Sequence, residues 1–136
     1  MAEQAQRIDK MAWIHIVDKK ILSTRSQGKD LYYIPGGKRE PGESDHETLI
    51  REICEELSVD LIADTIEFVG QFEAPAHDKP AGVIVQMRCY TGDYIGTIAA
   101  DNEIAEVVWL SYADRDKSAP VDRKIMDYLK EQGWIE

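Results

Sequence analysis

Three glutamates, Glu52, Glu55 and Glu56, lie within five consecutive positions of the segment ESDHETLIREICEEL, residues 43–57. Arg51 is the only Lys or Arg in this segment, against six acids. Like charges at helical spacing destabilise a helix by about 0.2–0.5 kcal/mol per pair, so the arrangement requires a compensating interaction. Carboxylate oxygens are the ligands that hard divalent cations such as Mg²⁺ or Mn²⁺ prefer. The cluster therefore indicates a divalent-cation site.

The segment before these acids, PGGKREPGE (35–43), is typical of a phosphate-binding loop. Glycines at 36 and 37 allow the backbone to approach a ligand closely, and exposed N–H groups can bind phosphate oxygens. Lys38 and Arg39 add positive charge at the same place. Carboxylates after such a loop suit a Mg²⁺ ion that carries a diphosphate. The cation would also reconcile a formal charge of -10 with an anionic substrate.

A helix is predicted over 44–57 to carry the glutamates. Ser44 and Glu47 form a capping box at its start. Its apolar stripe faces away from the glutamates, so that one flank is buried and the other carries the carboxylates. The stripe consists of Leu49, Ile50, Ile53, Cys54 and Leu57.

The remaining pattern predicts an α/β or α+β fold built on a mixed sheet. A second helix is predicted over 120–132, with Gly133 as its stop. Extended segments are predicted at 11–17, 20–26, 30–35, 66–74, 82–90 and 103–110. Cys54, Cys89 and Trp109 are expected to be core residues.

Length and charge narrow the function classes. The 136 residues fit one domain, expected over 9–136, and the polar residues 1–8 are expected to be loosely held. The acidic balance argues against nucleic acid and membrane surfaces as partners. The chain shows no secretory h-region, spanning segment or CxxC pair, so a cytoplasmic location is expected.

The stretch from Gly37 to Val59 resembles the signature of the Nudix hydrolases, a MutT-like family. The similarity includes Gly37, Glu43 after five residues, Arg51-Glu52 after seven more, and Glu55-Glu56. Ser58 stands where the family usually has Gly, and it bears on how the helix ends rather than on a ligand. The resemblance implies the family's α/β/α sandwich.

The resemblance also implies roles at matching positions. It implies that Glu52, Glu55, Glu56 and the Gly37 carbonyl bind Mg²⁺ or Mn²⁺, with Glu43 as an outer-sphere acid and Arg51 orienting the glutamates. Glu103, six residues before Trp109, matches a further acid that members recruit. The general base stays open between Glu55, Glu52, a loop acid and His77.

Recognition of the rest of the substrate rests on fewer residues. Gly36, Lys38 and Arg39 are candidates for binding phosphate, and Arg25 could reach a terminal phosphate. Aromatic side chains could stack on a base, and Tyr33 is the one we select from Trp13, Tyr32, Tyr33 and Phe72.

The implied reaction is hydrolysis of a nucleoside diphosphate linked to a group X. We expect a nucleoside triphosphate, including oxidised or non-standard ones, as the substrate. A nucleotide sugar, ADP-ribose or a dinucleotide is the alternative, and a non-catalytic nucleotide sensor is the alternative of another class. A homodimer is compatible with the resemblance because many members pair.

Overall fold

The structure, a computed structural model, describes residues 6–76 and 82–136. These residues form nine strands and two α-helices. The strands are β1 (Gln6–Trp13), β2 (Ile16–Val17), β3 (Lys20–Ser26), β4 (Gly36–Lys38), β5 (Asp60–Leu61), β6 (Glu67–Pro75), β7 (Val83–Thr91), β8 (Tyr94–Ile95) and β9 (Ile104–Leu110). The helices are α1 (Asp45–Leu57) and α2 (Pro120–Glu131). Within the described residues, no helix is long and apolar enough to cross a membrane.

The main sheet is mixed, as predicted. Its order is β4-β1-β7-β6, with β1 parallel to β7 and the other neighbours antiparallel. A second sheet has the order β2-β3-β9 and is antiparallel, and β5 pairs with β8 in a short ribbon. The two larger sheets provide the layer against which both helices pack.

The helices cover opposite sides of this layer, because successive residues of a strand point to opposite faces. Met11 and Trp13 of β1 are fully buried in one core cluster with α1 residues. Ala12 and Ile14 lie in the other cluster with α2 residues. The predicted α/β/α sandwich is confirmed.

The start of β1 differs from the prediction. Residues 6–8, part of the stretch 1–8 that is expected to be loosely held, pair in parallel with residues 83–85 of β7. Residues 1–5 lie outside the described part of the chain. The predicted strand over 11–17 is divided into β1 and β2, with a break at residues 14 and 15.

The segment predicted as extended at 30–35 is not a regular strand. Tyr33 makes a single bridge to Thr24, and Tyr32 makes one to Ser118. The strand begins one residue after Pro35, where Gly36 approaches β1 so closely that an added Cβ would lie 1.9 Å from the Met11 carbonyl oxygen. Gly36 is therefore required for strand pairing as well as for the site.

Two core predictions are wrong. Cys89 is buried as expected, but Cys54 is exposed, because the buried stripe of α1 follows Leu49, Ile53 and Leu57 and leaves Cys54 at its edge. Trp109 is 40% exposed because β9 is an edge strand of its sheet.

Candidate active site

The first turn of α1 is fixed by the predicted capping box. The Ser44 hydroxyl accepts from the backbone N–H of Glu47 at 3.1 Å, and the Glu47 carboxylate accepts from the backbone N–H of Ser44 at 3.0 Å. The helix then runs to Leu57 with its glutamates at the predicted positions.

Arg51 and Glu43 form a two-bond ion pair beside α1. Arg51 Nε donates to Glu43 Oε2 at 2.7 Å, and Nη2 donates to Oε1 at 3.0 Å. Glu43 also accepts from the Thr48 hydroxyl at 3.1 Å and from the Glu40 backbone N–H at 2.9 Å. These bonds, above all those from Arg51, lower the pKa of Glu43 to about 2 and raise the pKa of Arg51. Both side chains are therefore ionised at neutral pH.

The same guanidinium orients the next acids. Arg51 Nη1 lies 3.0 Å from Glu52 Oε1 and 3.4 Å from both Glu55 oxygens. Nη2 also donates to the Lys38 carbonyl at 3.1 Å. Arg51 thus connects β4 to the carboxylates of α1.

Glu52 and Glu56 lie side by side in a partly buried environment. Burial raises the pKa of Glu52. Burial, followed by the charge of Glu52, raises the pKa of Glu56 to about 8, although the Gly36 N–H donates to Glu56 Oε1 at 3.3 Å. Burial thus disfavours the charged forms of both carboxylates, and the charge of Glu52 adds to this effect at Glu56.

These glutamates face a cavity of about 430 Å³, within the range of small-molecule sites. Its lining includes the carboxylates of Glu52, Glu56 and Glu103 together with Gly37. It also includes aromatic and aliphatic side chains, those of Ile8, Tyr33, Ile34, Val85, Met87 and Ile104. Of the residues selected from the sequence, those that line the cavity are Tyr33, Gly36, Gly37, Lys38, Glu52, Glu56 and Glu103.

Gly37 has its own geometric reason to lack a side chain. An added Cβ would lie 2.3 Å from Glu52 Cδ. The close approach of Glu52 to the β4 backbone therefore depends on glycine at this position. This contact places a carboxylate beside the backbone of Gly37.

Arg25 does not line the cavity. Strand alternation directs its neighbours Thr24 and Ser26 to the cavity and Arg25 to the opposite face. There its Nε donates to Glu106 Oε1 at 2.6 Å, and the Tyr32 hydroxyl donates to the same oxygen at 2.7 Å. The structure thus gives Arg25 and Tyr32 a cross-strand partner.

Arg39 also lies outside the cavity lining. It contacts Asp45, donates from Nε to Asp9 Oδ2 at 3.1 Å and donates from Nη1 to the Glu43 carbonyl at 2.9 Å. Arg39 thus connects β1, the glycine loop and the start of α1, and the phosphate-binding role expected from the sequence has no support in this geometry.

Glu55 and Trp13 are not among the residues that line the cavity. Glu55 has a side chain that is 48% exposed, next to Arg51. Trp13 is fully buried with its ring stacked on His15, so it offers no face to a base. His77 lies outside the described residues.

Sequence reasoning missed Lys10. It lines the cavity, its Nζ lies 5.6 Å from the Tyr33 ring centroid, and burial lowers its pKa against the opposing charge of Asp122. The sequence signal for Lys10 was its position directly before the apolar run MAWI. The predicted strand began at residue 11 and therefore left Lys10 out. The apolar residues that line the cavity could not be recognised from the sequence, since they are ordinary core types.

The fit of a divalent cation rests on donor chemistry. Within residues 6–76 and 82–136, no three His, Cys, Asp or Glu side chains converge as a ready-made metal site. Nevertheless Glu52, Glu56 and Glu103 line one cavity next to Gly37, and all supply the oxygen ligands that Mg²⁺ and Mn²⁺ prefer. Burial and the charge of Glu52 raise the pKa of Glu56, and a bound cation would offset the repulsion between these two carboxylates. The residues present fit the cation.

Comparison with known proteins agrees with this geometry. A family model for the NUDIX domain matches residues 9–129. The chain therefore belongs to the Nudix family and is a hydrolase of that family.

Individual relatives support the same assignment. An uncharacterized Nudix hydrolase of Bacillus subtilis (strain 168) is 28% identical over 121 residues, which cover 87% of this chain and 77% of that protein. The CTP pyrophosphohydrolase of Escherichia coli (strain K12) is 32% identical over 99 residues, which cover 69% of this chain and 68% of that protein. The solution structure of the E. coli ORF135 protein has a TM-score of 0.72 at 29% identity and covers 92% of this chain and 91% of that chain.

Proposed function

We propose that this protein is a Mg²⁺- or Mn²⁺-dependent pyrophosphohydrolase that converts a nucleoside triphosphate to the monophosphate and pyrophosphate. The observation that carries the proposal is that one cavity is lined both by carboxylates and by aromatic and aliphatic side chains. A small nucleotide needs both kinds of contact, because it has a charged phosphate chain and a flat, largely apolar base.

The carboxylates that line the cavity can bind a phosphate chain only together with a cation. Glu52, Glu56, Glu103 and the Gly37 carbonyl would hold it, together with Glu55 if its exposed carboxylate turns toward them. A bound Mg²⁺ or Mn²⁺ supplies positive charge to the phosphate oxygens and lowers the pKa of a water molecule.

The protein's own groups supply positioning and proton transfer. Arg51 Nη1 donates a hydrogen bond of 3.0 Å to Glu52 and lies 3.4 Å from Glu55 Oε1. Glu55 and then Glu52 are the candidates for accepting the proton of the attacking water, because Glu55 remains open to solvent. Lys38 and Lys10 line the cavity and can offset charge on the departing phosphate.

The aromatic and aliphatic side chains of the lining suit the nucleoside. Tyr33 offers a ring, and the flanking aliphatic side chains exclude water from a base that stacks there. The relative that acts on CTP supports a single nucleotide as the substrate. The family assignment favours catalysis over the sensor role.

The test is a Mg²⁺-dependent screen of phosphate release. It should include nucleoside triphosphates, nucleotide sugars, ADP-ribose and dinucleoside polyphosphates. The expected result is highest turnover with a triphosphate and pyrophosphate as the product. Highest turnover with a nucleotide sugar or dinucleotide would contradict the proposed substrate while retaining the chemistry.

A variant pair tests the site. Glu56→Gln should lower turnover on the best substrate by about a hundredfold, because it removes a charged oxygen ligand. Glu131→Gln, at an exposed position on α2, is the control and should leave turnover unchanged. Equal rates for Glu56→Gln and wild type would show that the site is elsewhere.

A further inference from the structure

The loop before β9 closes the C-terminus of α1. The last carbonyls of an α-helix have no partner within the helix. Here the Asn102 side-chain amide donates to the Glu55 carbonyl at 2.8 Å, and the Asp101 N–H donates to the Glu56 carbonyl at 3.0 Å. The Ala99 N–H donates to the Leu57 carbonyl at 3.0 Å. Three consecutive carbonyls of the helix that carries the glutamates are thus bound by one loop.

Ser58 adds a side-chain bond to this contact. It occupies the left-handed region, with φ 62° and ψ 27°, where glycine is favoured. Its hydroxyl donates to Asp101 Oδ2 at 3.0 Å, while Asp101 Oδ1 accepts from the Asn102 N–H at 2.7 Å. A glycine at position 58 would relieve the backbone but could not make the bond to Asp101.

The same loop leads directly into Glu103. The Ile104 N–H donates to the Asp101 carbonyl at 3.1 Å, and the Glu103 carbonyl accepts from the Gln27 N–H at 2.7 Å. Glu103 is therefore held between the loop on α1 and the end of β3. Glu103 lines the same cavity as Glu52 and Glu56, and its charge acts on Glu56.

We propose that Ser58, Asp101 and Asn102 are positioning residues that fix Glu103 relative to Glu52 and Glu56. The hydroxyl of Ser58 is the part of this device that a family glycine would lack. The inference rests on the proposed function, since it assigns these residues to the geometry of the proposed cation site.

Two substitutions of one residue separate positioning from stability. Ser58→Ala removes the hydroxyl and keeps the backbone strain, whereas Ser58→Gly removes the hydroxyl and relieves the strain. We expect the melting temperature to fall or stay equal in Ser58→Ala and to rise in Ser58→Gly. The dissociation constant for Mn²⁺, measured by titration calorimetry, should rise by about three- to tenfold in both, as expected for the loss of one hydrogen bond that supports a ligand.

A control and a second background complete the test. Asp18→Gly relieves a left-handed residue (φ 52°) in the β2–β3 turn, so it should raise the melting temperature without changing Mn²⁺ binding. In a Glu103→Gln background, Ser58→Ala should have no further effect on Mn²⁺ affinity, because the group that it positions is lost.

The inference would be overturned if Mn²⁺ affinity rose and fell with the melting temperature in the two Ser58 variants. It would also be overturned if the effects of Ser58→Ala and Glu103→Gln on Mn²⁺ affinity were fully additive. If the wild-type chain binds Mn²⁺ and hydrolyses nucleotides but both Ser58 variants keep its Mn²⁺ affinity, the inference is overturned and the proposed function stands. A wild-type chain that neither binds Mn²⁺ nor hydrolyses any substrate would overturn both.

Discussion

Arg51 holds the carboxylates of α1 together, and Arg51→Lys measures how much this arrangement depends on a guanidinium. Arg51 makes two bonds to Glu43, one to Glu52 and one to the Lys38 carbonyl, all between 2.7 and 3.1 Å. A lysine keeps the charge, but its single nitrogen cannot span these acceptors. We count about three hydrogen bonds lost.

The magnitude follows from these bonds. Each contributes a net stabilisation of about 1 kcal/mol, and the Arg51 side chain is only 24% exposed, so screening is incomplete. The free energy of unfolding should fall by about 2–3 kcal/mol. For a domain of this size, that corresponds to a melting temperature lower by about 8–12 °C. Mn²⁺ affinity should fall by about tenfold or more, since Glu52 loses its orienting donor.

Arg115→Lys is the matched control. Arg115 makes a comparable two-bond pair with Asp127, at 2.6 and 2.9 Å, on the α2 side of the molecule. It should lower stability without changing Mn²⁺ affinity. Urea unfolding and titration calorimetry on both variants provide the comparison. An Arg51→Lys chain that unfolds within about 0.5 kcal/mol of wild type and keeps its Mn²⁺ affinity would refute the reasoning, since that is the range of ordinary surface substitutions.

Two further predictions concern Gly37 and Asp122. Gly37→Ala should displace the Glu52 carboxylate and weaken Mn²⁺ binding by about tenfold or more. The melting temperature should change little, because the added Cβ would clash with the end of a side chain. Unchanged Mn²⁺ binding in titration calorimetry would contradict this prediction. Asp122 is fully buried, and burial raises its pKa to about 7 from the usual 3.8, against the bond from the Ile34 N–H. Between these two pKa values the folded chain retains a proton that the unfolded chain loses. The contribution of Asp122 to the free energy of unfolding is therefore fully present below about pH 4 and is lost as pH rises through about 7. The loss is at most about 4 kcal/mol. Asp122→Asn should remove this dependence, and parallel urea-unfolding profiles for both chains between pH 5 and 8 would show that Asp122 is not the cause.

Local spacing made the helix of the site predictable. The capping box at Ser44 and the positions of Arg51, Glu52 and Glu56 follow from interactions between residues three or four apart, which the sequence displays directly. The strand at 20–26 was predicted with its observed bounds because the turn before it is also a local signal. The contacts of Arg51 with Glu52 and Glu55 required only that this helix form.

Partners distant in sequence were not predictable in the same way. Arg25 and Arg39 resembled phosphate ligands because they lie near the glycine loop in sequence. Their partners Glu106 and Asp9 become adjacent only when β3 meets β9 and when the glycine loop meets β1. Burial of Lys10 beside the cavity likewise depends on strand pairing.

The amino-acid sequence by itself determined the acidic helix, its cap and the chemistry that those carboxylates suit, because each depends on neighbours within one or two helical turns. The tertiary structure alone decided which cations are already paired, which apolar side chains line the cavity and how Glu103 is brought to α1. Those outcomes depend on contacts between residues far apart in the chain, and such contacts exist only after the sheets and helices have packed together.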